Sequence, residues 1–303
     1  MGAKIPRRAR AFAPGHVTGA FLPRTDARDP RGRGSVGIGL VLDAGVFAEA
    51  EWIPSRRSCV SVTADGNPAL DISTEVARRL LARRPGRLRV RLRHQLPVGQ
   101  GFGTSAAGAM ATALSVARVV GEPRSRAIET AHLADLFGGG GLGGVAAILG
   151  GGLEVRLRPG IPPFGRVTRG PFPGSLLIAV VGPPMPSPAL LSDPTTLAHV
   201  TAAYDAIRDL VAAPSPDRFW TASERFTDRL GLAPREVRDA LRAVRRRGGR
   251  AAQAMFGRSL FAALPTGARR DGVLRWMERR GLRAVELSVG RRGARLEPPT
   301  SGA

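Results

Sequence analysis

The sequence is poor in cysteine, histidine and aromatic residues, and each shortage excludes a class of site. A single cysteine among 303 residues, Cys59, excludes an internal disulfide framework and a zinc site built from several cysteines. The four histidines are scattered and show no metal-ligand spacing such as H-x-x-x-H. Aromatic residues make up only 5% of the chain and are not interleaved with arginines, so no stacking platform for single-stranded nucleic acid is indicated.

Lysine is also almost absent, although the chain is strongly basic. The formal net charge is +22 at pH 7, but Lys4 is the only lysine, and the arginines are spread along the whole chain. A charge of this size ordinarily suggests a nucleic-acid partner, which would bind to a basic patch or arm. The even distribution predicts instead a generally basic surface that attracts nucleotides and anionic acids, without a specific nucleic-acid partner.

No apolar run in the sequence approaches the roughly 20 residues that a membrane span needs. The N-terminal segment, MGAKIPRRARAFAPGHV, lacks the apolar stretch of a signal peptide. We therefore expect a cytoplasmic protein with no membrane contact. Because 43% of the residues are hydrophobic, the chain can bury a sizeable core, and its length favours two lobes over one.

The pattern of hydrophobic residues predicts an α+β protein. Glycine turns alternate with short apolar runs over residues 8–63, which is typical of strands and hairpins. Residues 70–84 have helical spacing, and residues 86–97, GRLRVRLRHQLP, alternate apolar residues with arginine as a half-buried strand does. A proline-rich stretch then marks a boundary, which we place between an N-terminal lobe, residues 1–165, and a C-terminal α+β lobe, residues 166–303.

Alternate glycines follow this strand in the segment LPVGQGFGTSAAGAMATAL, residues 96–114, which leads into a predicted helix. Glycines let the backbone approach an anion, and the first turn of a helix offers unpaired N–H groups and a positive dipole end. The hydroxyls of Thr104 and Ser105 can cap this turn or reach a metal on the phosphates. Because no G-K-[ST] follows, this is not a Walker A loop. It fits either a phosphate site that needs no lysine or an ordinary capped turn.

The same loop resembles the second motif of the GHMP kinases, a superfamily of small-molecule kinases with the approximate pattern P-x-x-x-G-x-G-S-S-A-A. Two further segments agree in order and position. AFAPGHVTGAF, residues 11–21, resembles the first motif, and AAQAMFGRSLFAAL, residues 251–264, resembles the third. Within the superfamily the chain most resembles the archaeal pantoate kinases, and this likeness runs across almost its whole length.

The resemblance implies a two-lobed GHMP kinase fold, with an N-terminal lobe like domain 2 of ribosomal protein S5 and a ferredoxin-like C-terminal lobe. It implies a kinase that uses ATP and Mg²⁺ to phosphorylate pantoate to 4-phosphopantoate, on the route to coenzyme A. Another small hydroxylated acceptor is the nearest alternative, because fold does not determine substrate. The sequence leaves open whether the chain forms a homodimer.

Roles for individual residues follow from the resemblance. Ser105 and Asp135 would hold Mg²⁺ and act in catalysis, although Asp135 taken alone also fits a solvated helix carboxylate. The residues implied in ATP binding are Pro97, Gly99, Gly101, Gly103, Thr104, Ser105 and Ala106.

Acceptor binding is implied for four more residues. His16, Thr18 and Ser35 lie in segments that would face the acceptor, and each alone is as typical of a satisfied polar residue in a turn. Gly257, in the third motif, would allow a close approach near the phosphates or the acceptor; taken alone, it fits a helix-breaking turn.

One position departs from the family pattern. The segment GLGDVAA contains an aspartate that the resemblance identifies as the catalytic base, whereas this chain has GLGGVAA, with Gly144 in that place. Phosphoryl transfer rests largely on positioning and charge neutralisation, so activity can survive without the base. Another carboxylate, from Asp135, Asp26 or Asp43, can serve instead. The third alternative is a protein that binds nucleotide and acid without turnover.

Overall fold

A computed structural model describes residues 7–68, 71–185 and 193–298, which form two β-sheets covered by α-helices. The strands are β1 (Arg8–Arg24), β2 (Gly34–Ile53), β3 (Cys59–Ala64), β4 (Asn67–Pro68), β5 (Arg87–His94), β6 (Leu153–Arg158), β7 (Arg166–Gly170), β8 (Ser175–Val180), β9 (Arg250–Gln253), β10 (Ser259–Ala263), β11 (Arg283–Ser288) and β12 (Arg295–Glu297). The helices are α1 (Asp71–Leu81), α2 (Thr104–Val120), α3 (Arg124–Phe137), α4 (Gly144–Ala147), α5 (Pro194–Asp205), α6 (Pro216–Leu230), α7 (Arg235–Arg245) and α8 (Gly267–Glu278). None of the described helices combines the length and the apolar character needed to cross a membrane.

The first sheet is built around a long antiparallel hairpin of β1 and β2. Its order is β12–β1–β2–β5–β3–β4, with β6 paired to β2 and β7 paired to β6. Strands β7 and β12, which the sequence did not predict, therefore come from beyond residue 165 and join the sheet of the N-terminal half. The predicted boundary at residues 165/166 falls just before β7 and stays a prediction.

Helices α1, α2 and α3 pack together with the first sheet. Helix α2 is buried over nearly its whole length, because its run of alanines lets it lie close to the strands. In α1, Val76, Leu80 and Leu81 form the buried stripe that the helical spacing predicted. This packing holds the N-terminus of α2 at the edge of the sheet, where the glycine loop begins the helix.

The second sheet has the order β11–β8–β10–β9 and is antiparallel throughout. Helices α7 and α8 share a core with it through residues such as Val237, Val244 and Val273. Another core cluster contains residues of both sheets and of α6, and there Phe21 of β1 meets Phe226 of α6 with ring centroids 5.8 Å apart. The two sheets therefore share one hydrophobic contact region.

Strand β1 is irregular at the two points where the resemblance placed acceptor residues. Its pairing with β2 shifts register between Pro14 and His16 and again between Thr18 and Ala20. A side chain at the intervening Gly19 would overlap Ser223 of α6, so this close approach requires glycine. Such irregularities re-aim neighbouring side chains, and they set the directions of His16 and Thr18.

Candidate active site

The loop between β5 and α2 adopts a backbone that requires glycine. Gly99, Gly101 and Gly103 have φ angles of +72°, +74° and +67°, in the left-handed region that other residues rarely adopt. Gly103 is the N-cap of α2 and makes no side-chain capping bond, so neither Thr104 nor Ser105 caps the helix as one interpretation predicted. The backbone N–H of His16 donates to Phe102 O at 3.0 Å and ties the loop to β1.

A cavity of about 520 Å³ opens against this loop, which is a typical size for a small-molecule site. It brings together most of the residues that the sequence singled out. The predicted site residues among its lining are His16, Thr18, Ser35, Gly99, Gly101, Gly103, Thr104, Ser105, Ala106 and Asp135, together with Gly144.

Pro97 and Gly257 do not belong to the lining. Pro97 is exposed. Gly257 lies in the turn between β9 and β10, where a Cβ would overlap the carbonyl of Gln100. Gly257 therefore packs against the glycine loop at Gln100, and neither Pro97 nor Gly257 faces the cavity.

Ser105 and Asp135 form a pair at the N-terminus of α2. Ser105 Oγ donates to Asp135 Oδ1 at 2.7 Å. Asp135 is only 2% exposed, so it is not the solvated helix carboxylate that one interpretation allowed. Burial raises its pKa from 3.8 to about 7, and the hydrogen bond from Ser105 opposes this only in part. Two hard oxygen donors in this position suit Mg²⁺.

Gly144 lies beside this pair, at the start of α4. A Cβ added to Gly144 would be 3.9 Å from Asp135 Oδ2 but only 2.5 Å from Ala106 Cβ. An aspartate at this position would therefore lie close to Asp135, but its Cβ does not fit unless Ala106 moves. Asp26 and Asp43, the other two carboxylates considered as replacements, are exposed and lie outside the cavity lining.

A buried ionic network contacts the glycine loop through His16. His16 Nε2 is 2.9 Å from Glu154 Oε1, and the Arg156 guanidinium donates to the same oxygen. Burial lowers the pKa of His16, and the hydrogen bond and charge of Glu154 offset this only partly. Burial by itself would raise the pKa of Glu154, but Arg156, His16 and Arg169 outweigh it and lower the pKa. Glu154 is therefore ionised and His16 neutral near pH 7.

Arg156 lines the cavity, and one of its buried donors has no partner among the described residues. Its side chain is 2% exposed, and its Nε has no hydrogen-bond partner among the described residues. A Cβ on Gly143 would be 2.9 Å from this Nε and would overlap Ser35 Oγ, so the three groups lie side by side. An unpaired buried guanidinium nitrogen is costly unless a ligand or water pairs with it.

Part of the cavity lining is apolar. Ala64 of β3 and Leu92 of β5 are paired in the sheet, and both line the cavity, as do Val98 and Met185. His94 also lines it, and its Nδ1 is 2.8 Å from Asp65 Oδ2, which orients the ring. Ile72 lies instead next to the Ser105–Asp135 pair, because a Cβ on Gly140 would contact all three side chains. The cavity therefore combines apolar lining residues, the glycine loop and a cationic end at Arg156.

Comparison with known proteins agrees with this geometry. Residues 71–152 match the model of the GHMP kinases N terminal domain. A pantoate kinase of Thermococcus kodakarensis is 31% identical over 261 residues, which are 84% of this chain and 86% of that protein. A pantoate kinase of Methanospirillum hungatei is 30% identical over 275 residues, which are 88% and 90% of the two chains.

The chain belongs to the pantoate kinase family. It is therefore a small-molecule kinase of the GHMP superfamily, as the three motifs predicted. A solved structure described as a phosphotransferase related to the CoA biosynthesis pathway aligns with a TM-score of 0.86 and 27% identity, over 97% of this chain and all of that one. A homoserine kinase from Cytophaga hutchinsonii aligns with a TM-score of 0.69 and 14% identity, over 98% and 99%. These likenesses confirm the predicted two-lobed α+β fold.

The sequence did not single out Arg156, which lines the cavity of this pantoate kinase, or Glu154, which is buried and bonded to both His16 and Arg156. The segment LEVRLRPG was predicted as a strand, and no role was predicted for its charged residues. In the structure both faces of β6 are buried around these positions. The only available signal was the strand's position directly after the glycine cluster.

Proposed function

We propose that this chain transfers the γ-phosphoryl group of ATP to the primary hydroxyl of pantoate and releases 4-phosphopantoate and ADP. The observation that carries the proposal is that a glycine-rich helix N-terminus and Arg156, whose buried Nε has no partner among the described residues, line one cavity. A kinase for an anionic acceptor needs both sites within one cavity. The names of the relatives support pantoate as the acceptor.

In this proposal the ATP phosphates lie against Gly99–Ala106. The left-handed glycines keep side chains away from the anion, and the first turn of α2 supplies N–H donors and the positive dipole end. The apolar part of the lining, with Ala64, Leu92 and Val98, would accommodate the base. Because this arrangement requires no lysine, it is compatible with the absence of a Walker A motif.

Mg²⁺ fits the oxygen donors of Ser105 and Asp135, which would take the metal together with phosphate oxygens and water. When bound, Mg²⁺ neutralises charge on the transferring phosphoryl group. Asp135 must then be ionised, so metal binding displaces the proton that burial favours.

The acceptor carboxylate would pair with Arg156 at the cationic end, whose Nε has no hydrogen-bond partner within the described part of the chain. Ser35 Oγ lies beside that nitrogen and can donate to the same carboxylate. Carboxylate recognition at this end would direct the primary hydroxyl toward the glycine loop. The reacting groups would then be held close together, which is the main source of catalysis in phosphoryl transfer.

An ADP-release assay with ATP, Mg²⁺ and separate samples of pantoate, homoserine, mevalonate and shikimate tests the proposal. We expect turnover with pantoate and background ATP hydrolysis with the others. Turnover with a different acid would support the kinase activity but contradict pantoate as the acceptor. ATP binding in calorimetry without turnover on any acceptor would instead support a non-catalytic nucleotide-binding protein, the alternative that Gly144 favours. The cytoplasmic location, an archaeal origin and a homodimer stay predictions.

A further inference from the structure

The acceptor hydroxyl must lose a proton when it receives the phosphoryl group, and Gly144 has no side chain to accept it. Asp135 is the carboxylate beside Gly144, but it already accepts a hydrogen bond from Ser105, and the proposed function assigns it to Mg²⁺. A carboxylate oxygen that coordinates a metal is a poor base. The proton therefore requires another acceptor in the cavity wall.

His16 lies between the proposed phosphate-binding loop and the arginine proposed to bind the acceptor carboxylate. Its backbone N–H donates to Phe102 in the glycine loop, and a Cβ on Gly103 would lie 3.1 Å from His16 N and 3.2 Å from His16 Cβ. Its side chain is bonded to Glu154, next to Arg156 at the acceptor end. His16 is thus adjacent both to the phosphate-binding backbone and to the carboxylate-binding side chain.

The hydrogen bonds of His16 leave one ring nitrogen available as a base. Nε2 carries the proton, because its neighbour at 2.9 Å is the ionised Glu154. Nδ1 then has a free lone pair, and it is 3.4 Å from Thr18 Oγ1, which lines the cavity. A carboxylate that orients a histidine in this way also stabilises the imidazolium that forms on proton transfer.

The electrostatic surroundings keep His16 neutral and ready to accept a proton. The charged groups that act on it are Glu154 and Arg156 on β6 and Arg169 on β7. Among the other described residues next to His16, Gly39 lies against the ring, Phe102 and Gly103 contact its backbone or Cβ, and Val41 pairs with it in the sheet; none of these has a titratable side chain. Burial lowers the pKa of His16 below 6.5, so the free base predominates at neutral pH.

We propose that His16 is the general base of this enzyme, that the Thr18 hydroxyl passes the proton to it, and that Glu154 positions the ring. In the step, the acceptor oxygen bonds to the γ-phosphorus as the bond to the ADP oxygen breaks. The acceptor proton moves to Thr18 Oγ1 while the Thr18 proton moves to His16 Nδ1. The products are phosphorylated acceptor, ADP and an imidazolium paired with Glu154. This inference rests on the proposed kinase function.

The deciding variant is His16→Gln, because the glutamine amide can still donate to Glu154 while it provides no base. With saturating ATP, Mg²⁺ and pantoate, we expect kcat to fall about 100-fold, with the KM for ATP changed by less than about 3-fold. In the wild type, kcat should fall as the pH drops below 6.5, and this acid limb should vanish in His16→Gln. Saturating Mg²⁺ keeps Asp135 ionised, so Asp135 does not contribute to the acid limb of the pH profile of kcat.

Two further variants separate the roles within the network. Thr18→Val keeps the shape and removes the hydroxyl, and we expect it to lower kcat more than it raises the KM for pantoate. Glu154→Gln should lower kcat and move the acid limb to lower pH, since the imidazolium loses its partner. His199→Gln, on the exposed surface of α5, removes a histidine far from the cavity and should leave kcat and the pH profile unchanged.

Restoring the missing carboxylate gives an independent test. In an Ala106→Gly/Gly144→Asp background, where the clash with Ala106 is removed, His16→Gln should cost less than about 10-fold in kcat because the introduced carboxylate accepts the proton. A His16→Gln enzyme that keeps kcat within about 3-fold, or keeps the acid limb, would overturn the inference. Absence of wild-type turnover on every acceptor would instead defeat the proposed function.

Discussion

Gly140 lies directly over Asp135, so closely that a Cβ on Gly140 would overlap Asp135 Oδ1 and Ser105 Oγ at once. The hydrogen bond between Ser105 and Asp135 therefore depends on a glycine five residues beyond Asp135. The glycine cluster after α3 serves the proposed metal site by leaving room for its two oxygen donors.

The first prediction concerns Gly140→Ala. The added methyl group should push the Asp135 carboxylate or the Ser105 hydroxyl out of place, because both atoms are the ends of side chains that can rotate. We expect the affinity for Mg²⁺-ADP to fall about 10-fold or more in calorimetry, with a smaller loss of thermal stability. The matched control is Gly141→Ala, where the new Cβ would be at an ordinary 3.5 Å from Asp135 Oδ2. Equal effects of the two substitutions would contradict this account.

The second prediction concerns the pH dependence of stability in metal-free protein. The pKa of Asp135 is raised from 3.8 to about 7, so the folded state binds more protons than the unfolded state between these values. The buried Asp135 therefore lowers the free energy of unfolding progressively as the pH rises from about 4 to 7. The total loss is about 4 kcal/mol, because each pKa unit of the shift corresponds to 1.36 kcal/mol. Asp135→Asn should be more stable than the wild type at pH 8 and similar at pH 4.

Urea unfolding of both proteins at pH 4, 6 and 8, with chelator present, measures this difference. Asparagine keeps an oxygen that can accept the Ser105 hydrogen bond, so the comparison isolates the buried charge. A constant difference in unfolding free energy at the three pH values would show that Asp135 does not titrate in this window.

The third prediction concerns acceptor recognition by Arg156. Arg156→Lys keeps a positive charge near Glu154 but loses the planar fork and the free Nε. We expect the KM for pantoate to rise about 10- to 100-fold, with the KM for ATP nearly unchanged, in the ADP-release assay. Arg158→Lys is the matched control, because Arg158 lies on the same strand but is exposed and bonds to Phe164 O. A change confined to the KM for ATP would disprove this role.

The fourth prediction concerns the fit of a carboxylate at position 144. Gly144→Asp alone should destabilise the fold by about 1–3 kcal/mol, because the new Cβ would be 2.5 Å from Ala106 Cβ in a fully packed helix. Adding Ala106→Gly should recover part of this loss, although replacing alanine by glycine within a helix itself costs about 1 kcal/mol. Thermal melts of the single and double variants measure both effects. A Gly144→Asp protein as stable as the wild type would contradict this prediction, because it would show that Ala106 moves aside with no loss of stability.

Regular elements with a clear local period were predictable. The strand–glycine loop–helix unit was predicted with α2 beginning at Thr104 or Ser105, and it begins at Thr104. The half-buried alternation of β5 and the helical stripe of α1 also appear where the pattern placed them. Strands β7 and β12 were missed because each is short and is held by its neighbour in the sheet, β6 or β1, instead of by its own periodicity.

The candidate site was only half predictable. The motifs identified the glycine loop, Ser105, Asp135 and His16, all of which line the cavity. They did not indicate Arg156, because this arginine is one of many and its strand pattern suits an exposed face equally well. The burial that makes it distinctive depends on β2 and β7, the two strands that pair with β6.

By itself, the sequence determined where the backbone can hold an anion, because the conformations of Gly99, Gly101 and Gly103 and the start of α2 are local properties of those residues. Only the tertiary structure decided what surrounds that backbone: that His16 meets Glu154, 138 positions away in the chain, and that Asp135 is buried beside Ser105. The physical reason is that burial and ion pairing depend on which strands and helices pack together. Residue types and their spacing along the chain do not contain that information.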